Sequence, residues 1–140
     1  RMEPEMAALL AELDVAAYVL DCLPNMTAAL VGERLGPFVE KLRQARPDTP
    51  IILVENMAHM DAAFLPGVRA TVTEENGALR QVYRRLVEKR VKSLIYVQRD
   101  NLLGTDGEGT VDGVHPTDLG FQRFAEALEP VLRKVTGEHP

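Results

Sequence analysis

Three short apolar runs, with no polar residue inside them, recur along the chain. They cover residues 16–20, 51–54 and 94–97. A strand that is covered on both faces of a parallel sheet has no polar side, so unbroken runs of this length are typical of buried parallel strands. We therefore predict three strands at these positions.

Apolar residues spaced three and four positions apart predict four helices between and around these runs. The first helix is predicted over residues 3–13, and the last begins near residue 116. The predicted apolar faces are Met6, Leu9, Leu10 and Leu13 in the first helix; Val31, Leu35, Phe38, Leu42 and Ala45 in the second; Leu79, Val82, Tyr83, Leu86 and Val87 in the third; and Phe121, Phe124, Ala125, Leu128, Leu132 and Val135 in the last.

Local signals set the predicted boundaries of these helices. Gly36 and Pro37 fall inside the second helical pattern, so we expect a kink or a split there. Residues 55–72 are predicted to form a long loop, and Thr73, which precedes two glutamates, is predicted to start the third helix. Pro116 is expected in the first turn of the last helix.

The alternation of strands and helices predicts an α/β fold, with helices on both faces of a parallel sheet. With 140 residues and a mass of 15.5 kDa, the chain is long enough to bury a core, and we assign residues 1–140 to a single domain. In sheets of this kind, ligands bind beyond the carboxyl ends of the strands. The segments that follow the strands are therefore where a site is expected.

Charge and composition exclude several classes of partner. The net charge of −5 and the pI near 5.2 argue against a nucleic acid or an anionic membrane surface as partner. No apolar run approaches the roughly 20 residues that a membrane-spanning helix needs. Because Cys22 is the only cysteine, no internal disulfide is possible, and the cellular compartment stays open between secreted and cytoplasmic.

A carboxylate and an imidazole stand three residues apart, at Asp112 and His115, in an Asp-Gly-Val-His-Pro segment. The histidine of a Ser-His-Asp hydrolase needs a carboxylate that fixes its tautomer and stabilises its charged form. In a purely structural interpretation, Asp112 would bind turn amides and His115 would cap the last helix. The position of the pair, on a long loop between the last strand and the last helix, favours the catalytic interpretation.

Asn25 follows the first predicted strand, at the same edge of the sheet. In a structural role, its amide would close the turn through bonds to the backbone. In a functional role, the amide would donate a hydrogen bond to an oxyanion, for which a neutral donor of fixed geometry is well suited. Its coincidence with Asp112 and His115 favours the functional role.

A nucleophile is harder to find. Ser93 is the only serine, and it lies at the amino end of the third strand, whereas the predicted site lies at the carboxyl ends. A strand of four or five residues spans roughly 15 Å, so Ser93 is not expected to reach His115. Cys22 is nearer to Asn25, but a cysteine at the end of a buried strand is more often part of the core.

The remaining candidates for chemistry are weaker. His59 and Asp61 lie in the first long loop and would line a cleft or be solvated, and His139 lies in the C-terminal tail. Together with Asp112 and His115 they contain no compact ligand motif, so no metal site is expected. The chain also has no glycine-rich phosphate-binding loop between a strand and a helix. We predict neither a metal nor a cofactor.

Taken together, these residues resemble the SGNH, or GDSL-type, hydrolase family. The segment 111–116 resembles the last of the four blocks of that family, with Asp112 as the triad acid and His115 as the base. The segment 19–25 resembles the third block, with Asn25 as an oxyanion-hole donor. The sequences of segments 18–26 and 112–121 are similar to those of a bacterial branch of the family. The resemblance implies a flavodoxin-like three-layer α/β/α fold with a parallel sheet.

Two departures from the family pattern stand out. Leu23 occupies the place of the glycine in the third block, and Met26 follows Asn25 where the family has an aspartate. The first two blocks, which carry the nucleophilic serine and an oxyanion glycine, have no counterpart in the chain. The resemblance therefore covers the last two thirds of the family's domain. We expect Arg1 to follow directly after the second block of a longer parent chain.

The resemblance implies a serine esterase or acylhydrolase that acts on carboxylic esters, possible examples being acetyl esters of carbohydrates. The serine would come from the upstream segment of the same parent chain, so the 140-residue chain alone is expected to be inactive. Two other classes stay open. One is a non-catalytic binding or scaffold domain that has lost its nucleophile. The other is a flavodoxin-like regulatory or cofactor-binding module, which does not explain Asp112 and His115.

The same resemblance generates a prediction about stability. In the family's strand order, the first strand lies between the second and the third, so its absence leaves residues 16–20 as an open apolar edge. Such edges pair with other chains or aggregate. We expect the isolated 140-residue chain to be poorly stable and prone to association, as measured by chemical denaturation and sedimentation. A monomer that unfolds in one cooperative transition would contradict this expectation.

Overall fold

A computed structural model of the chain describes residues 1–57, 64–100 and 102–137. The three predicted strands are present as β1, β2 and β3, and the four predicted helices as α1 to α4. A short 3-10 helix, Leu23–Asn25, follows β1. In chain order the elements are α1 Pro4–Ala11, β1 Tyr18–Leu20, α2 Ala28–Ala45, β2 Ile51–Val54, α3 Pro66–Glu88, β3 Leu94–Val97 and α4 Asp118–Thr136.

The strands form one parallel sheet in the order β1-β2-β3, with β2 in the centre. Tyr18 lies opposite Ile51, and Ile51 lies opposite Leu94, so the strands begin at the same level, and β1 ends one residue before β2 and β3. All four residues of β2 are buried, as expected for a strand that is covered on both faces.

Helices cover both faces of this sheet, which confirms the predicted α/β architecture. On one face, side chains of α1, α2 and α3 pack in a common core with Leu20, Ile51 and Leu53. On the other face, α4 packs through Leu128 and its neighbours against Ile52 and other side chains of β2 and β3. Alternate strand residues point to opposite faces, so β2 and β3 each contribute to both cores.

The first strand differs from its prediction in length and burial. It begins at Tyr18 rather than at residue 16, and only Tyr18 and Leu20 are buried. Val19 points to the opposite face and is 37% exposed, because α4 packs over β2 and β3. The prediction of a strand buried on both faces was therefore wrong for β1 at this residue.

The apolar face predicted for the first helix was also wrong. Met6, Leu9 and Leu13 are exposed, whereas Ala7 is fully buried and Leu10 packs at the edge of the core. The helix lies against α2, and the small Ala7 side chain permits that close approach. Side-chain size thus overrode the pattern of large apolar residues.

A kink or a split was predicted at Gly36 and Pro37; the second helix is not split there and continues through Pro37. Proline removes one backbone hydrogen bond inside a helix, which normally destabilises it. Here Leu35, Phe38 and Val39, on either side of the proline, are buried in the core and hold the two halves in one helix. Ala45, predicted to be on the buried face, is exposed.

The third helix starts earlier than predicted. It begins at Pro66, because proline is well suited to the first turn of a helix, and residues 66–72 are therefore helical. Glu75, expected near the N-terminus, is buried in the interior of the helix instead. Leu79, Val82 and Leu86 are buried as predicted, whereas Val87 is exposed.

The last helix begins two residues beyond Pro116. Thr117 is its N-cap, and the Thr117 hydroxyl accepts a hydrogen bond of 3.0 Å from the N–H of Gly120. Phe121 is exposed, while Phe124 and Leu128 pack against the sheet. Within the residues that the structure describes, no helix is both long enough and apolar enough to cross a membrane.

Candidate active site

Asp112 and His115 meet on the loop between β3 and α4. The His115 Nδ1 atom lies 2.8 Å from the Asp112 Oδ2 atom. The other carboxylate oxygen, Oδ1, accepts hydrogen bonds from the N–H groups of Val114 at 3.0 Å and His115 at 2.9 Å. Asp112 therefore performs both roles considered from the sequence: it closes the turn, and it orients the imidazole.

These hydrogen bonds determine the charge on Asp112. Those from the backbone N–H of His115, from its ring and from the N–H of Val114 hold the pKa of Asp112 well below its usual range. An ionised Asp112 can only accept a hydrogen bond, so the Nδ1 atom of His115 carries the proton and donates, which leaves Nε2 as the basic nitrogen of the ring. The His115 side chain is 78% exposed, so Nε2 is accessible to a reacting group.

A small hairpin-like turn holds the pair. The N–H of Val111 donates to the carbonyl of His115 at 2.8 Å, and Thr110 forms an antiparallel bridge with Pro116. Gly113, at the tip, has a φ of 90°, a conformation that favours glycine. The two ends of the turn are thus fixed against each other, and the dyad sits at its tip.

The base of this turn rests on the first turn of α4. Thr117 donates from its N–H to the carbonyl of Gly109 at 3.1 Å and from its hydroxyl to the carbonyl of Glu108 at 2.8 Å. Gly120 packs so closely on Gly109 that an added Cβ would lie 2.0 Å from the Gly109 carbonyl oxygen. His115 itself does not cap the helix, because Thr117 has that role.

Asn25 lies in the 3-10 helix that follows β1, at the carboxyl edge of the sheet. Its backbone N–H bonds to the carbonyl of Cys22 at 3.1 Å. Its side chain is exposed and forms no hydrogen bond with any other residue that the structure describes. The amide is therefore available to a ligand, although no hydrogen bond joins Asn25 to Asp112 or His115.

Neither Ser93 nor Cys22 has the surroundings of a nucleophile for the dyad. Ser93 directly precedes β3 at the amino edge, where its carbonyl accepts a hydrogen bond of 2.9 Å from the N–H of Ile51. Cys22 is half-buried, with its sulfur 3.9 Å from that of Met26. Burial raises the pKa of the Cys22 thiol, which keeps it protonated and unreactive.

Three residues considered from the sequence, His59, Asp61 and His139, lie outside the described residues. Over residues 1–57, 64–100 and 102–137, no group of three or more histidine, cysteine, aspartate or glutamate side chains is arranged to hold a metal ion. The site geometry that can be described consists of the Asp112–His115 pair and the neighbouring edge of the sheet.

A buried carboxylate that was not predicted from the sequence lies at the same edge. Glu55 follows β2 directly and is only 4% exposed. It accepts hydrogen bonds from Arg80 Nη2 at 2.6 Å, from the Tyr96 hydroxyl at 2.5 Å and from the N–H of Arg99 at 3.1 Å. These bonds tie together the ends of β2 and β3, helix α3 and the start of the loop that carries the dyad.

The charge of Glu55 is stabilised despite its burial. Burial alone would raise the pKa of Glu55, but the bonds from Tyr96, Arg80 and Arg99 outweigh it and hold the pKa below its ordinary value of 4.5. Burial and the nearby carboxylate raise the pKa of Tyr96, so its hydroxyl stays a donor. A charged residue directly after an all-apolar strand was the sequence signal for this cluster.

Asn56 extends the polar contacts from β2 to α3. Its N–H donates to Asn76 Oδ1 at 2.7 Å, and its side-chain amide donates to Glu75 Oε2 at 2.7 Å. The side-chain amide of Asn76 donates a hydrogen bond of 3.3 Å to the carbonyl of Asn56. All three residues are buried, so these bonds fix where α3 crosses the edge of the sheet.

Replacing Glu55 by glutamine in the full-length protein should test the cluster. The amide NH2 would face groups that donate, so we expect the free energy of unfolding to fall by about 1–3 kcal/mol near neutral pH. Because the pKa of Glu55 is lowered on folding, its stabilisation exists above pH 4.5 and is lost as the pH falls through the lowered value. The difference between wild type and E55Q should therefore shrink in acid, as measured by urea denaturation.

The matched control is Glu40→Gln, which breaks an exposed pair of 2.7 Å with Lys89. Exposed pairs contribute little, so E40Q should unfold almost like the wild type. Equal stabilities of E55Q and wild type at neutral pH would show that the buried bonds do not stabilise the fold.

Comparison with known proteins identifies the family of this chain. Residues 1–133 match the model of the GDSL-like lipase/acylhydrolase family. A solved structure from Bacteroides ovatus ATCC 8483, described as a GDSL-like lipase, is 40% identical, with a TM-score of 0.92 over 97% of this chain. The salicylyl-acyltransferase SsfX3 from a tetracycline biosynthetic pathway is 20% identical, with a TM-score of 0.76 over 96% of this chain, and shows the fold alone.

The chain spans 40% of the length of the first of these structures and 42% of the second. No curated protein matches. The family match over residues 1–133 and the close structural relative agree with the α/β sheet and with the resemblance seen in the sequence. The chain belongs to the GDSL-like lipase/acylhydrolase family.

Proposed function

We propose that the protein is a serine esterase in which this chain supplies two members of a Ser-His-Asp triad, His115 and Asp112. The observation that carries the proposal is the 2.8 Å contact between His115 Nδ1 and Asp112 Oδ2 on an exposed turn beside the carboxyl ends of the strands. Membership of the GDSL-like family supports the general reaction, hydrolysis or transfer of an acyl group.

The nucleophile in this proposal is a serine upstream of Arg1 in a longer parent chain. The similar structures, of which this chain spans about two fifths, leave room for such a segment. His115 Nε2 removes the proton of the serine hydroxyl as its oxygen attacks the ester carbonyl, and the proton then passes to the leaving alcohol. In the second half of the reaction, His115 takes a proton from water as the water attacks the acyl-enzyme. The proton then passes to the serine oxygen, which releases the acid and regenerates the serine.

Asp112 and Asn25 have separate roles in this mechanism. Asp112 stabilises the positive charge that His115 acquires, and it stays ionised because three hydrogen bonds hold its pKa low. Asn25 donates its exposed amide to the oxyanion of the tetrahedral intermediate, together with donors from the upstream segment. Its position at the end of β1 supports this role.

The substrates we propose are carboxylic esters with short acyl groups, and acetyl esters of carbohydrates are the first to test. This choice rests on the resemblance of segments 18–26 and 112–121 to a bacterial branch of the family. The mechanism as written uses neither a metal nor a cofactor.

Fluorophosphonate labelling of the full-length protein tests the triad. The hydroxyl of an activated serine displaces fluoride from a fluorophosphonate and forms a phosphonate ester, so the intact mass of the wild type should increase by one bound probe group. His115→Ala should lose this adduct, and its hydrolysis of p-nitrophenyl acetate should fall by a factor on the order of 10⁴ or more, because the general base is gone.

Ser93→Ala is the matched control and should label like the wild type, since Ser93 lies at the opposite edge of the sheet. An adduct that forms equally fast on His115→Ala, or a wild-type adduct that maps to Ser93, would refute the proposed triad. If the protein is a binding or scaffold domain, neither the wild type nor His115→Ala should form an adduct.

Substitution of Asn25 tests the oxyanion role. Asn25→Ala should lower kcat for p-nitrophenyl acetate by about 10²–10³, with little change in KM, because the lost bond forms mainly in the transition state. Thr27→Ala is the control in the same segment and should keep the wild-type kcat. It removes only the N-cap of α2, in which the Thr27 hydroxyl accepts a hydrogen bond of 3.3 Å from the N–H of Leu30. An unchanged kcat for Asn25→Ala would exclude it from the oxyanion hole.

A further inference from the structure

Arg123, on α4, binds the loop that leads to Asp112 and His115. Arg123 Nη1 lies 2.7 Å from Asp106 Oδ1, and Nη2 lies 2.6 Å from Asp106 Oδ2, so the guanidinium and the carboxylate pair through two parallel bonds. Nη1 also donates to the carbonyl of Leu103 at 3.0 Å. A single side chain thus closes the backbone of residues 103–106 against the helix.

The loop is shaped around this guanidinium. Gly104 has a φ of 84°, and an added Cβ there would lie 2.4 Å from Arg123 Nη1. Leu103, beside it, is 2% exposed, so the arginine binds a segment that is anchored in the protein interior. Lysine, with one nitrogen, cannot make the two parallel bonds, so the arrangement is specific to arginine.

A series of hydrogen bonds connects the Arg123–Asp106 pair to the turn that carries His115. Asp106 Oδ1, which Arg123 holds, also accepts from the N–H of Glu108 at 3.1 Å. The carbonyl of Glu108 accepts from the Thr117 hydroxyl, and the carbonyl of Gly109 accepts from the Thr117 N–H. The bridge between residues 110 and 116 begins at the next position and carries the dyad at its tip.

We propose that Arg123 is a positioning residue for catalysis, which fixes the loop so that the Asp112–His115 pair meets the serine in a reactive geometry. The inference rests on the proposed esterase function and adds to it a residue that does not touch the substrate. Displacement of a catalytic group by about 1 Å can cost on the order of a hundredfold in rate, so a loosened loop base is sufficient for a measurable loss.

Another arginine on the same helix provides the contrast. Arg133 pairs with Glu129 one turn away, at 2.8 Å, and both side chains are about half exposed. That pair joins α4 only to itself. The Arg123 side chain is 25% exposed, and its partners lie 17 and 20 residues away in the chain. Loss of Arg123 therefore releases a loop, whereas loss of Arg133 releases nothing.

The test uses the full-length protein with four variants: Arg123→Gln, Arg123→Lys, Asp106→Asn and the double variant R123Q/D106N. We expect kcat for p-nitrophenyl acetate to fall roughly ten- to a hundredfold in each single variant while KM changes less than threefold. Because each single variant already removes the Arg123–Asp106 pair, the loss of kcat in the double variant should be much smaller than the product of the two single losses. The rate of fluorophosphonate labelling should fall in parallel with kcat.

Arg133→Gln is the matched control and should keep the wild-type kcat. Thermal unfolding of every variant separates a displaced loop from a lost fold, and D106N provides the same test through an exposed residue if R123Q does not fold. A wild-type kcat in folded R123Q or D106N would overturn the inference, as would losses that multiply in the double variant. Absence of hydrolysis in the wild type, or activity retained by His115→Ala, would instead overturn the proposed function and the inference with it.

Discussion

Complete burial of β2 is the constraint on which the arrangement of the molecule depends. All four of its side chains are inaccessible, so a strand must pair on each side and helices must cover both faces. Parallel pairing in this register ends the three strands at one edge. The polar groups that follow β1, β2 and β3 are consequently delivered to the same rim, although they are far apart in the sequence.

Two carboxylates at this rim have opposite surroundings and correspondingly different roles. Glu55 is enclosed, and donors from an arginine, a tyrosine and the backbone satisfy it, so its charge serves to join elements. Asp112 is 54% exposed at the tip of a turn, and its bonds go to the turn itself and to His115. The bonds of Glu55 thus make the edge of the sheet rigid, while Asp112 and His115 lie exposed beside it. A group that must be held in place and still be accessible needs both properties.

The fold class, the strands and the pairing of Asp112 with His115 could be predicted from the sequence because each depends on local pattern: unbroken apolar runs, helical spacing and a three-residue interval. The errors came from effects that no local pattern contains. Ala7 is buried because small size allows close helix packing, and α2 continues through Pro37 because its neighbours are buried. The Arg80 and Tyr96 partners of Glu55 lie 25 and 41 residues away from it, a separation that only the folded chain closes.

The space beside Gly104 couples two positions that are distant in the sequence. The guanidinium of Arg123 occupies the volume that any side chain at position 104 would need, and the backbone there has a conformation that glycine adopts most easily. A side chain at 104 would displace the guanidinium of Arg123 and so disturb its bonds to Asp106 and to the carbonyl of Leu103. A substitution at one position is therefore felt at the other, although 18 residues separate them in the sequence.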